Sequence, residues 1–108
     1  MSKNDKVETS VCDMDGNSIR TGDIVSLFGM VGEVVFESGA YGIGFEQLID
    51  WERIEKEIFP ITGCDNAPYF CYNDNFISFW ELLWNFNCED DWCVVVKIVG
   101  TGKEENNG

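Results

Sequence analysis

The stretch DIVSLFGMVGEVVFESGAYGIGF, from Asp23 to Phe45, decides the fold. It holds three short runs of β-branched and aromatic residues, DIVSLF, VGEVVFE and YGIGF, separated by the glycine-containing links GM and SGA. Such runs between turn residues predict β-strands, and the GM link predicts a hairpin between the first two. Gly42 and Gly44 stand at alternate positions of the third run, which indicates a bend or a close approach of backbone, as at a barrel corner.

Alternation in the second run predicts that its two faces differ. Successive side chains of a strand point to opposite faces, so Val34 and Phe36 share one face, and Glu33, Val35 and Glu37 share the other. At 108 residues with an apolar fraction of 44%, the chain suffices for one packed domain. We assign that domain to residues 11–100, with a mobile N-terminal segment at 1–10 and a mobile tail at 101–108.

The segment before the first strand, DMDGNSIRTG, resembles a calcium loop at first sight. Asp13, Asp15 and Asn17 fit ligand positions 1, 3 and 5 of an EF-hand, but position 6, which requires Gly, is Ser18. Position 12, which requires a bidentate Glu, is Ile24. Asp-Gly and Thr-Gly-Asp are turn signals, so we interpret the segment as turns in which Gly16 and Gly22 supply positive φ.

The segment after the third strand, EQLIDWERIEKEIF, has helical spacing. Its apolar positions are separated by three, three and four residues, and they are Leu48, Trp51, Ile54 and Ile58. Opposite charges four residues apart, Glu52 with Lys56 and Arg53 with Glu57, support a helix at 46–59 that ends at Pro60. A strand with an alternating pattern fits the segment less well and stays the alternative.

Three further elements are predicted in the second half of the chain. YFCY, residues 69–72, is a short strand in an irregular region, and WCVVVKIVG, residues 92–100, is the final strand. SFWELLWNF is a short helix with a capping box between Ser78 and Glu81. Ile77 and Leu82 occupy the positions of a hydrophobic staple across its start.

The charge and the residue types exclude several classes of function. Acidic residues number 20 and basic residues 7, so a net charge of −13 disfavours binding to nucleic acid or an anionic membrane through a basic patch. The absence of His removes Ser-His-Asp and Cys-His catalysis. No complete phosphate-binding glycine motif is present. We therefore expect a protein that is not an enzyme, has no cofactor and binds a basic protein.

The five cysteines give no clear metal signature. Six residues lie between Cys64 and Cys71 and four between Cys88 and Cys93, whereas paired ligands of zinc ribbons favour two to four between them, and the chain has no His to complete a mixed site. With no secretory signal and an odd number of thiols, we expect reduced cysteines, no metal site and a cytoplasmic location. No apolar run of about 18 residues exists that would span a membrane.

Several of these motifs resemble one known family. DMDGNSIRTGDIV resembles the D-x-x-G-x-x-I-x-x-G-D-I-V segment of YopX-like proteins, which are small proteins of phages and prophages. GEVVFESGAYGI, ISFWELL and VVVKIVGTGKEE are similar to the elements that follow in that family, although the closing residues 101–104 depart from its pattern. The resemblance implies a small SH3-like β-barrel with one or two short helices, within a mainly β (α+β) class. It implies no catalytic residues.

Two surface features are candidates for a partner-binding site. One is the density of acidic residues, and the other is a group of nine aromatic residues between Tyr69 and Trp92, too many for so small a domain to bury. We expect Phe79, Leu83 and Trp92 to lie in the core, and Trp80 or Trp84 to anchor a contact. The predicted partner-binding residues are Glu46, Asp50, Glu52, Glu55, Glu57, Trp80, Trp84, Glu89, Asp90 and Asp91.

These features support two functional hypotheses besides a metalloprotein or enzyme. In the first, an acidic phage protein competes with nucleic acid for the basic groove of a host protein and blocks it, as an anti-defence inhibitor or an anti-CRISPR would. In the second, an SH3-like module uses the aromatic residues to bind a protein partner or to form a homodimer.

Overall fold

The structure, a computed structural model, describes residues 7–65, 68–87 and 92–100, and its strands form two sheets. The strands are β1 (Glu8–Cys12), β2 (Ser18–Arg20), β3 (Ile24–Leu27), β4 (Met30–Glu37), β5 (Ala40–Phe45), β6 (Phe76–Ser78) and β7 (Lys97–Gly100). One sheet pairs β1 with β2, and the other is antiparallel with the order β6-β5-β4-β3-β7. The helices are short, so the predicted mainly β class is confirmed.

Two tight turns connect the three strands predicted between Asp23 and Phe45. The paired residues that flank them are 27 with 30 and 37 with 40, so each turn has two central residues. All four central residues, Phe28-Gly29 and Ser38-Gly39, have φ between 52° and 89°. Positive φ at both positions matches the right-handed twist of the strands. The predicted hairpin is confirmed, although its turn lies one residue before the expected GM link.

One face of the large sheet carries much of the core. Val34, Ile43 and Ile77 are register partners across three neighbouring strands, and all three are completely buried. Phe36 lies two residues after Val34 but is exposed. It pairs with Tyr41 one register position before the pair that flanks the turn, and the centroids of the two rings are 4.8 Å apart. The predicted alternation is therefore present, but Phe36 falls at the end of the sheet.

Gly42 is required where β5 meets β6. A Cβ at this position would collide with the carbonyl oxygen of Ile77 and lie 2.7 Å from the Cα of Ser78. A Cβ at Gly44 would meet Val35 at an ordinary 3.5 Å. The predicted close approach of backbone is thus confirmed at Gly42, and it fixes the distance between β5 and the residue at which the next helix begins.

The loop between β1 and β2 is organised by the buried side chain of Asp13. One carboxylate oxygen accepts hydrogen bonds from the backbone N–H groups of Asp15 and Asn17, at 3.0 and 2.8 Å. The other accepts from the side-chain amide of Asn17 at 3.3 Å and from the N–H of Ile98 at 3.2 Å. Gly16 has φ +87°. The predicted turn is confirmed, and Asp13 also connects the loop to β7.

The small sheet begins earlier in the chain than expected. β1 starts at Glu8, inside the segment 1–10 that the sequence analysis assigned to a mobile N-terminus. Residues 1–6 and the predicted tail at 101–108 lie outside the described residues. β1 also contacts the segment before β7, because Cys12 and Cys93 form a parallel β-bridge. This bridge and Asp13 join the two sheets.

A helical run follows β5 and contains α1 (Trp51–Arg53), one π-helical turn (Ile54–Ile58) and α2 (Phe59–Thr62). It begins after Asp50, whose carboxylate accepts from the N–H of Arg53 at 3.1 Å. The predicted start at residue 46 is therefore too early, and Leu48 is exposed rather than buried. The predicted end at Pro60 is also wrong, since Pro60 lies in the first turn of α2, where a missing N–H is tolerated.

Charged side chains stabilise this run on its outer surface and against the sheet. Lys56 and Glu52 form the predicted i,i+4 ion pair, with a separation of 3.2 Å between Nζ and Oε2. The guanidinium of Arg53 donates a hydrogen bond to the carbonyl oxygen of Phe28 at 3.1 Å, which ties the helix to the first hairpin turn.

The YFCY segment is irregular, so the prediction of a strand there is wrong. Its backbone groups bond to side chains of the following helix, α3 (Phe79–Phe86). The Asn85 amide accepts from the N–H of Tyr69 and donates to its carbonyl oxygen, both at 2.7 Å. Glu81 accepts from the N–H of Cys71 at 2.8 Å. These side chains supply the partners that a strand would find in a sheet.

The start of α3 matches the prediction. Ser78 Oγ accepts from the N–H of Glu81 at 3.2 Å, and Glu81 accepts from the N–H of Ser78 at 3.0 Å, which completes the capping box. Ile77 and Leu82, the predicted staple residues, are both completely buried. The first turn of the helix is thereby anchored to β6.

The described strands leave the large sheet open, with β6 at one edge and β7 at the other. Only Lys97–Gly100 of the predicted final strand pairs with β3, while Val94 and Val96 before it are buried. Within the described ranges no helix has the length and apolar character needed to cross a bilayer.

Candidate functional site

An aromatic groove lies between β1, the start of β5 and the outer face of α3. Its volume is about 610 Å³. The residues that line it are Thr9, Val11, Ala40, Tyr41, Phe79, Trp80, Leu83, Trp84, Asn87 and Trp92. We call this the aromatic groove. Four of these side chains are Trp or Tyr, which combine a large apolar ring with a polar atom that can form hydrogen bonds.

α3 places two tryptophans on one wall of the aromatic groove. Trp80 and Trp84 are one helical turn apart, so both project from the same face of the helix. Their rings meet edge to face with centroids 5.4 Å apart, and 57% and 44% of their surfaces are exposed. Tyr69 contacts Trp80 with a centroid distance of 6.5 Å. Both predicted aromatic anchors are therefore exposed and are brought together at one site.

Trp92 is a third exposed tryptophan of the aromatic groove. We expected it in the core, but 65% of its surface is exposed, so that prediction is wrong. The alternation of the final strand placed Trp92 on the same side as Val94 and Val96, which are buried. Trp92 precedes β7, and its carbonyl oxygen accepts from the N–H of Cys12 at 2.8 Å. Its backbone is thus fixed against β1.

The opposite wall comes from a part of the chain that sequence analysis did not select. Thr9 and Val11 belong to β1, which was assigned in part to a mobile terminus, and Tyr41 is the first core-facing residue of β5. The hydroxyl of Thr9 donates to the carbonyl oxygen of Ile19 at 2.9 Å, which holds this wall on β2. The alternating β-branched residues of VETSV, residues 7–11, were the signal that could have identified the strand.

The predicted acidic residues lie outside the aromatic groove or outside the described residues. Glu46, Asp50, Glu52 and Glu57 are exposed in and before the helical run, and Glu55 is half-buried there. None of these lines the aromatic groove. Asp50 caps α1 and Glu52 pairs with Lys56, so two of them already have structural roles. The predicted residues Glu89, Asp90 and Asp91 lie outside the described residues.

Among the residues that the structure describes, two ionisable groups outside the groove have shifted pKa values. Burial opposes ionisation of Asp13, but its hydrogen bonds from Asn17, Ile98 and Asp15 prevail and lower its pKa. Desolvation of the thiol and then the nearby carboxylate of Glu81 raise the pKa of Cys71. A raised pKa keeps Cys71 as the protonated thiol, which is a poor nucleophile.

Within residues 7–65, 68–87 and 92–100, no three His, Cys, Asp or Glu side chains are grouped closely enough to hold a metal ion. No Asp, Glu, Cys, Lys or Arg from these ranges lines the aromatic groove either. The site therefore offers rings and hydrogen-bonding atoms rather than converging acid–base groups.

No family model, curated protein or solved structure matches this chain.

The aromatic groove combines exposed rings with walls that are tied to neighbouring backbone. Exposed Trp and Tyr side chains at the centre of a concave surface are the residues that most often dominate binding energy between proteins. The adjoining backbone is held by the Cys12 contact to Trp92 and by the capping box of α3, so the groove has fixed walls. Because the walls are already formed, less conformational entropy is lost when a partner binds.

Proposed function

We propose that this protein is not an enzyme and acts by taking a segment of a basic partner protein into the aromatic groove. The observation that carries the proposal is the convergence of Trp80, Trp84 and Trp92, each strongly exposed, on one concave surface. The exposure of three tryptophan rings to water is unfavourable in free energy, and contact with another protein would bury them.

The charge of the chain supports a basic partner. A net charge of −13 attracts a cationic protein and increases the rate at which the two meet. The basic residues within the described ranges are Arg20, Arg53, Lys56 and Lys97, and none of them lines the aromatic groove. Lys56 and Lys97 are each paired with an acid at 3.2 Å. The groove thus presents no basic side chain from these ranges that would repel such a partner.

A second, sharper form of the proposal concerns the partner's own ligand. The resemblance to YopX-like phage proteins and the exposed acids at Glu46, Asp50, Glu52 and Glu57 favour a host protein whose basic groove normally holds nucleic acid. In this form the protein blocks that groove as an anti-defence inhibitor, for example an anti-CRISPR. It acts in the cytoplasm of the host cell.

An SH3-like arrangement is the structural part of the same proposal. The β1–β2 sheet is joined to the large sheet through Asp13 and the bridge between Cys12 and Cys93, and together they would form a barrel-like wall. SH3-like domains bind peptides in aromatic-lined grooves. This would make the aromatic groove the peptide-binding side of the fold.

The test starts with affinity capture from a host lysate and continues with the purified partner. Trp80→Ala, Trp84→Ala and Trp92→Ala should each weaken binding at least about tenfold, as removal of an anchor residue does. Leu48→Ala is the control, because Leu48 is an apolar residue even more exposed than the three tryptophans but does not line the aromatic groove. If the three tryptophan variants bind as the control does, the docking proposal is wrong.

The salt dependence of binding and competition by nucleic acid distinguish the inhibitor of a nucleic-acid groove from the general docking protein. Blocking a nucleic-acid groove requires that excess duplex DNA or RNA displaces the protein and that added salt weakens binding steeply. Charge reversal at Asp50, Glu52 and Glu57 should then weaken binding more than any single tryptophan change. Binding that survives salt and nucleic acid but needs the tryptophans supports the docking form alone. Sedimentation of the purified chain tests whether the partner is a second copy.

A further inference from the structure

The aromatic groove has the composition of a site for a cationic side chain. Its rings belong to Trp80, Trp84, Trp92 and Tyr41, and the faces of Trp and Tyr rings attract ammonium and guanidinium groups. From this we infer that the groove binds an arginine side chain of the partner by stacking its guanidinium against the tryptophan rings. The inference rests on the proposed docking function and specifies which group of the partner enters the site.

The geometry of the tryptophan pair leaves ring faces accessible. Trp80 and Trp84 are inclined at 71°, so one ring directs its edge at the face of the other. In such a pair both faces of the first ring stay outside the contact. With 57% of Trp80 and 44% of Trp84 exposed, ring surface is open to the groove. A flat guanidinium can stack on a ring face of this kind.

The surrounding charge selects a cation over a neutral group. The chain carries 13 more acidic than basic residues, and no basic residue of the described ranges lines the groove. A cation that enters therefore gains from the ring quadrupoles nearby and from the field of the whole protein. The lining also lacks a described carboxylate, so the rings rather than an ion pair provide the local contact.

The other tryptophan provides an internal control. Trp51 is half-buried against Phe70 and Tyr72, and its indole N–H donates to the carbonyl oxygen of Asn73 at 2.6 Å. It does not line the aromatic groove. A ligand that recognises the groove should therefore leave the Trp51 resonance unchanged, whereas a ligand that binds tryptophan indiscriminately would move it.

The experiment follows the four indole N–H resonances by NMR during titration with small probes. The probes are N-acetyl-arginine amide and N-acetyl-citrulline amide, which have nearly the same shape and differ in charge. The arginine probe should shift Trp80 and Trp84 in a saturable way, with an affinity at least about threefold higher than that of the citrulline probe. Trp51 should not move.

A variant separates ring stacking from general charge attraction. In Trp80→Leu with Trp84→Leu, followed at Trp92, the preference for arginine over citrulline should fall at least about twofold although the net charge is unchanged, because two of the four rings are removed. An undiminished preference, equal affinities in the wild-type protein, or the absence of a saturable shift would each overturn the inference. Those results leave the docking proposal to be decided by the partner-binding variants, so the two failures are distinguishable.

Discussion

The two faces of α3 depart from the usual distribution of residues in opposite ways. The inward face carries Glu81 and Asn85, which are almost completely buried, alongside apolar residues such as Leu82. The outward face carries Trp80 and Trp84, which are exposed. Buried polar groups are costly unless they are hydrogen-bonded, and exposed tryptophans are uncommon unless they serve a contact. On this helix the buried polar side chains hold neighbouring segments by hydrogen bonds, whereas the outward side chains leave aromatic rings exposed to solvent.

The inward face connects three parts of the chain. Glu81 accepts from Cys71 N–H and from both the N–H and the hydroxyl of Ser78, at 2.8, 3.0 and 3.0 Å. Asn85 holds both backbone groups of Tyr69 and donates to the carbonyl oxygen of Glu81 at 2.7 Å. If the division between the faces is real, inward changes should affect stability, and outward changes should affect only binding.

The largest loss of stability is expected for Glu81→Ala. It removes the acceptor of the buried N–H and hydroxyl of Ser78 and of the part-buried N–H of Cys71. Each unsatisfied buried donor costs about 1–3 kcal/mol, so we expect a loss of about 4 kcal/mol. Urea denaturation followed by circular dichroism measures it. Glu52→Ala, on the exposed surface, is the control and should cost less than about 1 kcal/mol. Equal losses for the two variants would remove the distinction between the buried and exposed acids.

Gly42→Ala should be the next most severe change, although it adds only one methyl group. The new Cβ meets the backbone of Ile77 and Ser78, which cannot move without displacing the start of α3. We expect a loss of about 3 kcal/mol in the same denaturation experiment. Gly44→Ala is the matched control in the same strand, because its Cβ finds an ordinary contact at 3.5 Å. A larger loss at residue 44 than at residue 42 would contradict the close approach.

Asn85→Ala should cost about 2 kcal/mol, since it leaves the backbone of Tyr69 without its partners. The segment that contains Tyr69 should then exchange its amide hydrogens faster than the strands do. Hydrogen exchange measured by NMR on Tyr69 and Cys71 tests this. Unchanged protection of both amides would show that the segment does not depend on Asn85.

Asp13→Asn tests a buried polar residue away from α3 and should cost about 1 kcal/mol at neutral pH. The pKa of Asp13 is lowered in the folded protein, so its ionised form contributes stability above the unfolded pKa of about 3.9. That contribution is lost as pH falls through the folded value. The difference between wild type and variant should therefore narrow when denaturation is repeated below about pH 4, and a constant difference would contradict the role of the charge.

The smallest effect on stability is expected for Trp80→Ala. Because the ring is more than half exposed, we expect a change within about 0.5 kcal/mol, together with the loss of partner binding described above. Denaturation and binding assays on the same preparation compare the change in stability with the loss of partner binding. A strong loss of stability would mean that the outward rings also support the fold, and the contrast between the two faces would no longer hold.

Local signals predicted much of the fold. Strands β3 to β5 follow from alternation and from glycine in the turns, and the start of α3 follows from Ser78 and Glu81, three residues apart. The errors arose where contacts between residues distant in sequence determine the local structure. The YFCY segment bonds to side chains up to 16 residues away, and the helix around Pro60 continues after a π-helical turn. Local propensity predicts neither the hydrogen bonds of the YFCY segment nor the continuation of the helix past Pro60.

The candidate site was predicted in part for the same reason. Trp80 and Trp84 are one turn apart on a helix that is itself predictable, so their shared face could be inferred. The position of Trp92 could not be predicted, because its alternation with the buried Val94 suggests that it is buried too. Its exposure follows from the course of the chain beside Cys12, which the sequence does not reveal. The second wall of the aromatic groove comes from β1, some 70 residues earlier in the sequence than α3.

The hydrogen bond from Ile98 N–H to Asp13 joins residues 85 positions apart. β7 must also pair with β3, so both the first loop and one sheet edge stay incomplete until the final strand has been synthesised. During translation, the N-terminal strands therefore cannot complete their native contacts while β7 is still missing. A premature stop codon shortly before residue 98 should leave both the first loop and that sheet edge incomplete and yield a chain that proteases degrade.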